Sequence, residues 1–232
     1  MLEILFADEY LVAINKPHGL LVHRSSIAAD AEEFALQLLR DQLNRHVYPT
    51  HRLDRKTGGV LLFALDKNAE TAMQQQFMNN QVSKSYLAVV RGYTPDSGEI
   101  DYPLKKENGT LQEAFTAYTT LARAELPVAF GKHATSRYSL IEARPATGRM
   151  HQLRRHFSHI FHPIIGDRTH GCNKQNKLFA EQWQMNTMLL HASQLSFMHP
   201  ITQQPISIKA SIQPEFSRVM QLMGWQESVA DV

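Results

Sequence analysis

The chain has 232 residues, 43% of them apolar and 20% charged, with a formal net charge of +2 and a single cysteine, Cys172. That length buries one sizeable core, and one cysteine excludes a disulfide framework or a cysteine-built metal site within the chain. No apolar run approaches the ~18–20 residues of a membrane span, Met1-Leu2-Glu3-Ile4-Leu5 lacks a basic-then-apolar export pattern, and no Pro/Gly/Ser-rich linker divides the chain, so the expectation is a cytoplasmic monomer of one domain, residues 1–232.

Residues 2–6 and 10–15 read as a hairpin turned at Asp8-Glu9. Residues 30–44 read as an amphipathic helix, with Phe34, Leu38, Leu39 and Leu43 at helical spacing. The apolar run ending at Leu65 predicts a buried strand over 59–65. Asp66 is placed to cap a helix over 67–79 whose inner face carries Ala69, Met73 and Phe77. A strand over 84–91 follows, and turn signals at Pro95, Gly98 and Asn108-Gly109 make 94–112 loops and short strands. Residues 113–122 and 136–143 read as a strand pair with an irregular connection from Pro127 to His133. A helix over 149–161 would bury Met150, Leu153, Phe157, Ile160 and Phe161. Residues 167–186 read as a polar surface loop with a short helix around Phe179 to Trp183, before strands 188–198 and 205–211 and a helix over 214–223. Many hairpins and few regular strand–helix–strand units argue for an α+β fold with a mixed, mostly antiparallel sheet.

The chemistry concentrates in His51-Arg52-Leu53-Asp54-Arg55-Lys56-Thr57-Gly58-Gly59. One carboxylate lies between two arginines at the mouth of a core strand, where guanidinium charge favours its ionised form. Alone, such a pair reads as an ion pair at a strand start. It does not stand alone. Asn15-Lys16-Pro17-His18-Gly19 follows the first hairpin, and Lys84-Ser85-Tyr86 opens the strand at 84–91. Gly148-Arg149-Met150-His151-Gln152-Leu153-Arg154 leads a helix, His162-Pro163-Ile164-Ile165-Gly166-Asp167 makes a turn, and Leu190-His191-Ala192 begins a strand that ends at His199-Pro200. Arg52, Arg55, Lys56, Lys84, Arg91, Arg149, Arg154 and Arg155 all fall in or beside these segments, which builds a local positive field from a nearly neutral total.

Taken together and in this order, the six segments resemble the RluA family of RNA pseudouridine synthases. The resemblance covers most of the chain, from Asn15 to Pro200. It implies that family's catalytic fold, a long curved sheet with flanking helices and a central cleft. With Asn15 so near the start, the N-terminal S4-like domain that family members often carry is not expected here. Val22-His23-Arg24-Ser25 and Gly166-Asp167-Arg168-Thr169-His170-Gly171 look most like the branch that modifies transfer RNA, which implies uridine 65 of the TΨC stem as target. The alternative is a member acting on ribosomal RNA or on both RNA classes. Gly58 stands where the family usually has Ser, which changes a turn hydrogen bond, and His170 stands where many relatives have Tyr.

The resemblance implies Asp54 as nucleophile, Arg154 as the partner that holds it ionised, Tyr86 stacked on the flipped uracil, and Leu190 as part of the floor beneath the base. Arg52 shares a side of the extended segment with Asp54, and the resemblance implies that it enters the vacated base stack. Lys16, His23, Arg24, Lys84 and Arg155 are expected substrate contacts, and His51 is expected to be structural. The reaction is an isomerisation without redox change, so no cofactor is expected. His151, His156, His159 and His162 crowd one region but lack an acidic partner in the helix and do not match a metalloprotease pattern, so no metal is expected. Two rival classes are a non-catalytic RNA-binding module, which has no use for Asp54, and a metal-dependent phosphoesterase built on those histidines.

Overall fold

The computed structural model describes residues 1–23 and 33–225. In chain order the elements begin with β1 (Glu3–Ala7), β2 (Leu11–Lys16), α1 (Ala35–Leu43), β3 (Tyr48–Pro49), β4 (Gly58–Ala64) and α2 (Lys67–Met78). Next come β5 (Ser83–Arg91), β6 (Ser97–Asp101), β7 (Leu104–Lys105), β8 (Leu111–Gln112), β9 (Phe115–Leu126) and β10 (Ser136–Pro145). The last are α3 (Gln152–His159), α4 (Asn173–Trp183), β11 (Leu190–Met198), β12 (Pro205–Lys209) and α5 (Pro214–Leu222). This is an α+β chain, as the hairpin-rich pattern predicts. No helix among the described residues is long and apolar enough to cross a membrane.

The described residues form two compact units, the first drawn from 1–84 and 192–213, the second from 85–191 and from Pro214 onward. In the first unit β2 pairs antiparallel with β1 and with β4, and β11 pairs antiparallel with β12. All seven residues of β4 are buried, which is why it reads as an unbroken apolar run rather than an alternating one. Leu11, Ala13, Val60, Leu62, Leu195 and Phe197 form its core with Ala69 and Met73 of α2. The Asp66 carboxylate accepts from the Asn68 and Ala69 amides at 2.8 and 2.9 Å, the expected cap, worth about 1 kcal/mol. Helix α1 starts later than the spacing predicts. Phe34 is still extended and bridges to Leu21, and Asn44 ends the helix in the left-handed region. The predicted start at 30 lies outside the described residues.

In the second unit β10 pairs antiparallel with β5 on one side and with β9 on the other, and β9 pairs with β6. The β9 strand runs to Leu126, beyond the predicted 122, because β10 offers partners from Ser136 onward. Ala88, Val90, Ile141 and Ala143 pack under Leu153 and Phe157 of α3, with Ile164, Met188 and Leu190. Helix α3 starts three residues later and ends two residues earlier than predicted. His151 before it has φ of 55° and Phe161 after it has φ of 65°. Met150 and Phe161 therefore lie off the buried stripe and are 50% and 80% exposed. Residues 173–183 form the full helix α4 where a loop with a short helix is predicted. Its polar Gln175 is buried and donates to the Tyr138 hydroxyl, while Phe179 meets the same ring edge-on, which conceals the helix's inner face from a reading of apolar spacing.

Candidate active site

The first unit holds Asp54 on a loop tied down from several sides. Leu53 is buried while Arg52 is exposed and Asp54 half-buried, so the extended segment presents Arg52 and Asp54 away from the core, as their spacing predicts. The turn that follows closes with the Thr57 amide donating to the Asp54 carbonyl at 3.0 Å. Arg55 is knitted to the Asn15–Gly19 segment: the Gly19 amide donates to the Arg55 carbonyl at 2.9 Å, and Arg55 Nε donates to the Gly19 carbonyl at 3.1 Å. Gly59, with φ of 107°, lies so close to β11 that a Cβ there would stand 2.1 Å from the Ala192 carbonyl oxygen. Two of the six motifs are thus one loop pair, and a third supplies its backing strand.

Lys16 departs from its expected role as a phosphate contact. It is fully buried, and its ammonium donates to the carbonyls of Pro17, Leu20 and Arg55 at 3.0, 2.7 and 3.2 Å. An ammonium with three backbone acceptors clamps the loops and is not presented to a surface ligand. Burial lowers its pKa to about 7, opposed by the negative charge of Asp54. His51 is structural, as expected. Its Nε2 accepts from the Leu62 amide at 3.0 Å and its ring stacks on Phe77 at 4.7 Å. Burial, helped by the charge of Lys84, pulls its pKa down to about 3, so the ring is neutral. Gly58 does more than alter a turn hydrogen bond. A Cβ there would meet Gln213, whose amide donates to the Lys16 carbonyl and accepts from the His18 amide.

The second unit brings together Tyr86, Leu190 and the Arg154 helix. Tyr86 lies opposite Ala143 in the β5–β10 register and packs, half-buried, against the cluster that contains Leu190 and Leu153. The start of α3 is organised by the buried Gln152 of the Gly-Arg-x-His-Gln motif. Its Oε1 accepts from the Arg149 amide at 3.0 Å and the Thr147 hydroxyl at 2.7 Å, and its Nε2 donates to the Phe115 carbonyl and Thr116 Oγ1. Arg154 is buried and forks onto Asp167, Nε to Oδ2 and Nη2 to Oδ1, both at 2.8 Å. Burial alone would raise the Asp167 pKa, but the Arg154 hydrogen bonds and the amides of His170 and Thr169 outweigh it and hold the carboxyl below its ordinary value. The Asp167 partnership is absent from the sequence reading. Its only signal there is the Gly166-Asp167 pair in the turn motif.

Arg155 is partly exposed and donates through Nη1 to the Lys105 carbonyl at 3.0 Å, His23 is exposed, and Arg24 lies outside the described residues. The crowded histidines each have protein partners. His151 and His170 share a 2.9 Å hydrogen bond, His156 lies between Thr116 and the Tyr102 carbonyl, His159 stacks on Tyr102, and His162 Nδ1 donates to the Arg91 carbonyl. Among the described residues no group of three His, Cys, Asp or Glu is placed to hold a metal ion.

Comparison with known proteins places these residues in context. A sequence model of the RNA pseudouridylate synthase family matches residues 10–159. The tRNA pseudouridine synthase C of Vibrio cholerae serotype O1 is 49% identical over 240 residues, covering 99% of this chain and 98% of that protein. The protein of the same name from Haemophilus ducreyi is 48% identical, covering 97% and 96%. Among solved structures, Human RNA Pseudouridylate Synthase Domain Containing 4 has a TM-score of 0.73 at 27% identity, covering 96% of this chain and 93% of that one. Human RNA Pseudouridylate Synthase Domain Containing 1 has the same TM-score at 21% identity and speaks for the fold alone.

Proposed function

Since the chain belongs to the RNA pseudouridylate synthase family, in its RluA branch, and is an isomerase of that kind, we propose that it converts one uridine of transfer RNA to pseudouridine, at position 65 in the TΨC stem. The observation that carries the choice of RNA is identity of 43–49% over nearly the whole chain to proteins named tRNA pseudouridine synthase C. Segments Val22–Ser25 and Gly166–Gly171 support the same branch.

The reaction cleaves the C1′–N1 glycosidic bond, turns the uracil, and joins C1′ to C5, with the C5 proton lost and N1 protonated. Nothing is oxidised or reduced. Asp54 supplies the carboxylate that this sequence of steps needs, as nucleophile or as proton acceptor while the base is detached. Its half-exposed place on a loop held by Lys16 and Arg55 supports that role, because a nucleophile must be both reachable and held. The family resemblance assigns Arg154 the task of keeping the carboxylate charged, which suits a group that never loses its proton. Tyr86 and Leu190 share an apolar cluster and form a wall and floor for the uracil ring. Exposed Arg52 fills the stack that the base leaves, offsetting the few kcal/mol needed to extrude a paired base. Lys84, His23, Arg24 and Arg155 meet phosphates.

The test is to incubate the enzyme separately with unmodified bulk transfer RNA and ribosomal RNA and to map new pseudouridine. New modification at uridine 65 of transfer RNA is the expected result. Modification confined to ribosomal RNA would overturn the target while leaving the chemistry in place.

A further inference from the structure

We propose that Asp167 is the positioning residue for Arg154, the group that fixes where that guanidinium points. The inference rests on the reading that Arg154 serves Asp54.

Three observations carry it. First, both ends of the pair are buried: the side chains of Arg154 and Asp167 are 9% and 1% exposed. A buried ion pair is a poor device for stability, since desolvation of two charges offsets their attraction. Leu153 and Phe157 already anchor α3 to the sheet without it. Second, the contact is a planar fork through Nε and Nη2. An arginine side chain is long and loses much rotamer freedom when ordered. Two parallel bonds on one edge fix the plane of the guanidinium, which a single bond would leave free to swivel. Third, the carboxylate is itself immobilised. Asp167 Oδ1 also accepts from the amides of Thr169 and His170 at 2.9 and 3.1 Å. The Asp167 carbonyl accepts from Asn176 Nδ2 at 2.7 Å, and the same Asn176 accepts from the Gly166 amide at 2.8 Å. The start of α4 thus fixes the backbone of the Gly166-Asp167 turn, the Thr169 and His170 amides fix the carboxylate, and that carboxylate holds Arg154. This gives the turn motif and the start of α4 one task in the chemistry.

The experiment compares Asp167→Asn, Asp167→Glu, Arg154→Lys and the double variant Asp167→Asn/Arg154→Lys in steady-state pseudouridine formation on a transfer RNA transcript, with thermal unfolding as a check on folding. Asp167→Asn puts an amide NH2 against the guanidinium and should lower kcat by about 10–100-fold, as a misplacement near 1 Å does, with KM nearly unchanged. Asp167→Glu keeps the charge and should retain more activity than Asp167→Asn. The double variant should be no slower than Arg154→Lys alone, because Asp167 acts only through the guanidinium. Full kcat in Asp167→Asn, or multiplicative losses in the double variant, would overturn the proposal. If Asp167→Asn does not fold, Asp167→Glu carries the test, and full kcat in that variant, with its carboxylate displaced by a methylene, overturns it equally. Wild-type turnover by Arg154→Lys would instead sink the role of Arg154 itself. A slow Arg154→Lys beside a fast Asp167→Asn would sink only the inference about Asp167.

Discussion

Replacing Gly59 by alanine tests how the Asp54 loop is joined to its strand. Two separate penalties apply. The backbone there has φ of 107°, where a side chain is strained by about 1–2 kcal/mol. A Cβ would also stand 2.1 Å from the Ala192 carbonyl oxygen and 2.7 Å from the Ala192 nitrogen, so β4 and β11 must separate. Overpacking of that kind costs about 1–3 kcal/mol more. Gly19 is the matched control: its φ is 88°, but a Cβ there meets nothing within 4 Å. Gly19→Ala should therefore show the strain alone. For a chain of this size each kcal/mol moves Tm by roughly 2–4 °C. Gly19→Ala should fall by roughly 2–8 °C and Gly59→Ala by roughly 4–20 °C, with the gap between them set by the contact with Ala192. Calorimetry or circular dichroism on the two variants side by side measures this. Equal losses would refute the close approach as the reason for glycine at this position.

Stability should respond to two buried bases in opposite pH ranges. His51 resists protonation down to about pH 3, while the unfolded chain takes up that proton near 6.5, so its contribution is whole above 6.5 and falls as pH drops toward 3; acid unfolding of His51→Gln should be flatter across that window. Lys16 holds its proton only to about pH 7 when folded and to 10.5 when unfolded, so this group adds stability as pH rises between those values, and Lys16→Met should lack that rise in denaturant midpoints. Arg52→Ala should depress turnover on folded transfer RNA far more than on a short unpaired oligonucleotide carrying the same uridine; equal losses would remove its place in the vacated stack. Treating the enzyme with a chelator and dialysing it should leave activity intact, and loss restored by zinc or magnesium, with RNA folding controlled, would contradict a reaction run on side chains alone.

Where local chemistry dictates structure, the sequence is legible. The apolar run of β4, the Asp66 cap and the Asp54 loop all follow from residue type and spacing within a few positions. Helix α3 shows what spacing misses. Met150 and Phe161 complete an apolar period on paper, but His151 and Phe161 adopt left-handed backbone that no pattern of hydrophobicity reports. Helix α4 hides because its buried inner face includes Gln175, satisfied by a tyrosine hydroxyl far away in sequence. Lys16 is the sharpest case. A lysine in a basic cluster reads as a phosphate contact, and only the convergence of the nearby Pro17 and Leu20 carbonyls with that of the distant Arg55 shows it to be a clamp. The Arg154–Asp167 fork is likewise long-range, and nothing in either residue's neighbourhood names the other.

The central claim is that one carboxylate performs the isomerisation, and Asp54→Asn tests it most directly. The variant keeps shape and hydrogen-bonding capacity but cannot act as a nucleophile or take up the proton. It should unfold within a few degrees of the native protein, bind transfer RNA with comparable affinity, and form no pseudouridine when the RNA is mapped after prolonged incubation. Pseudouridine formed at the native rate by a protein verified to carry asparagine at position 54 would contradict it.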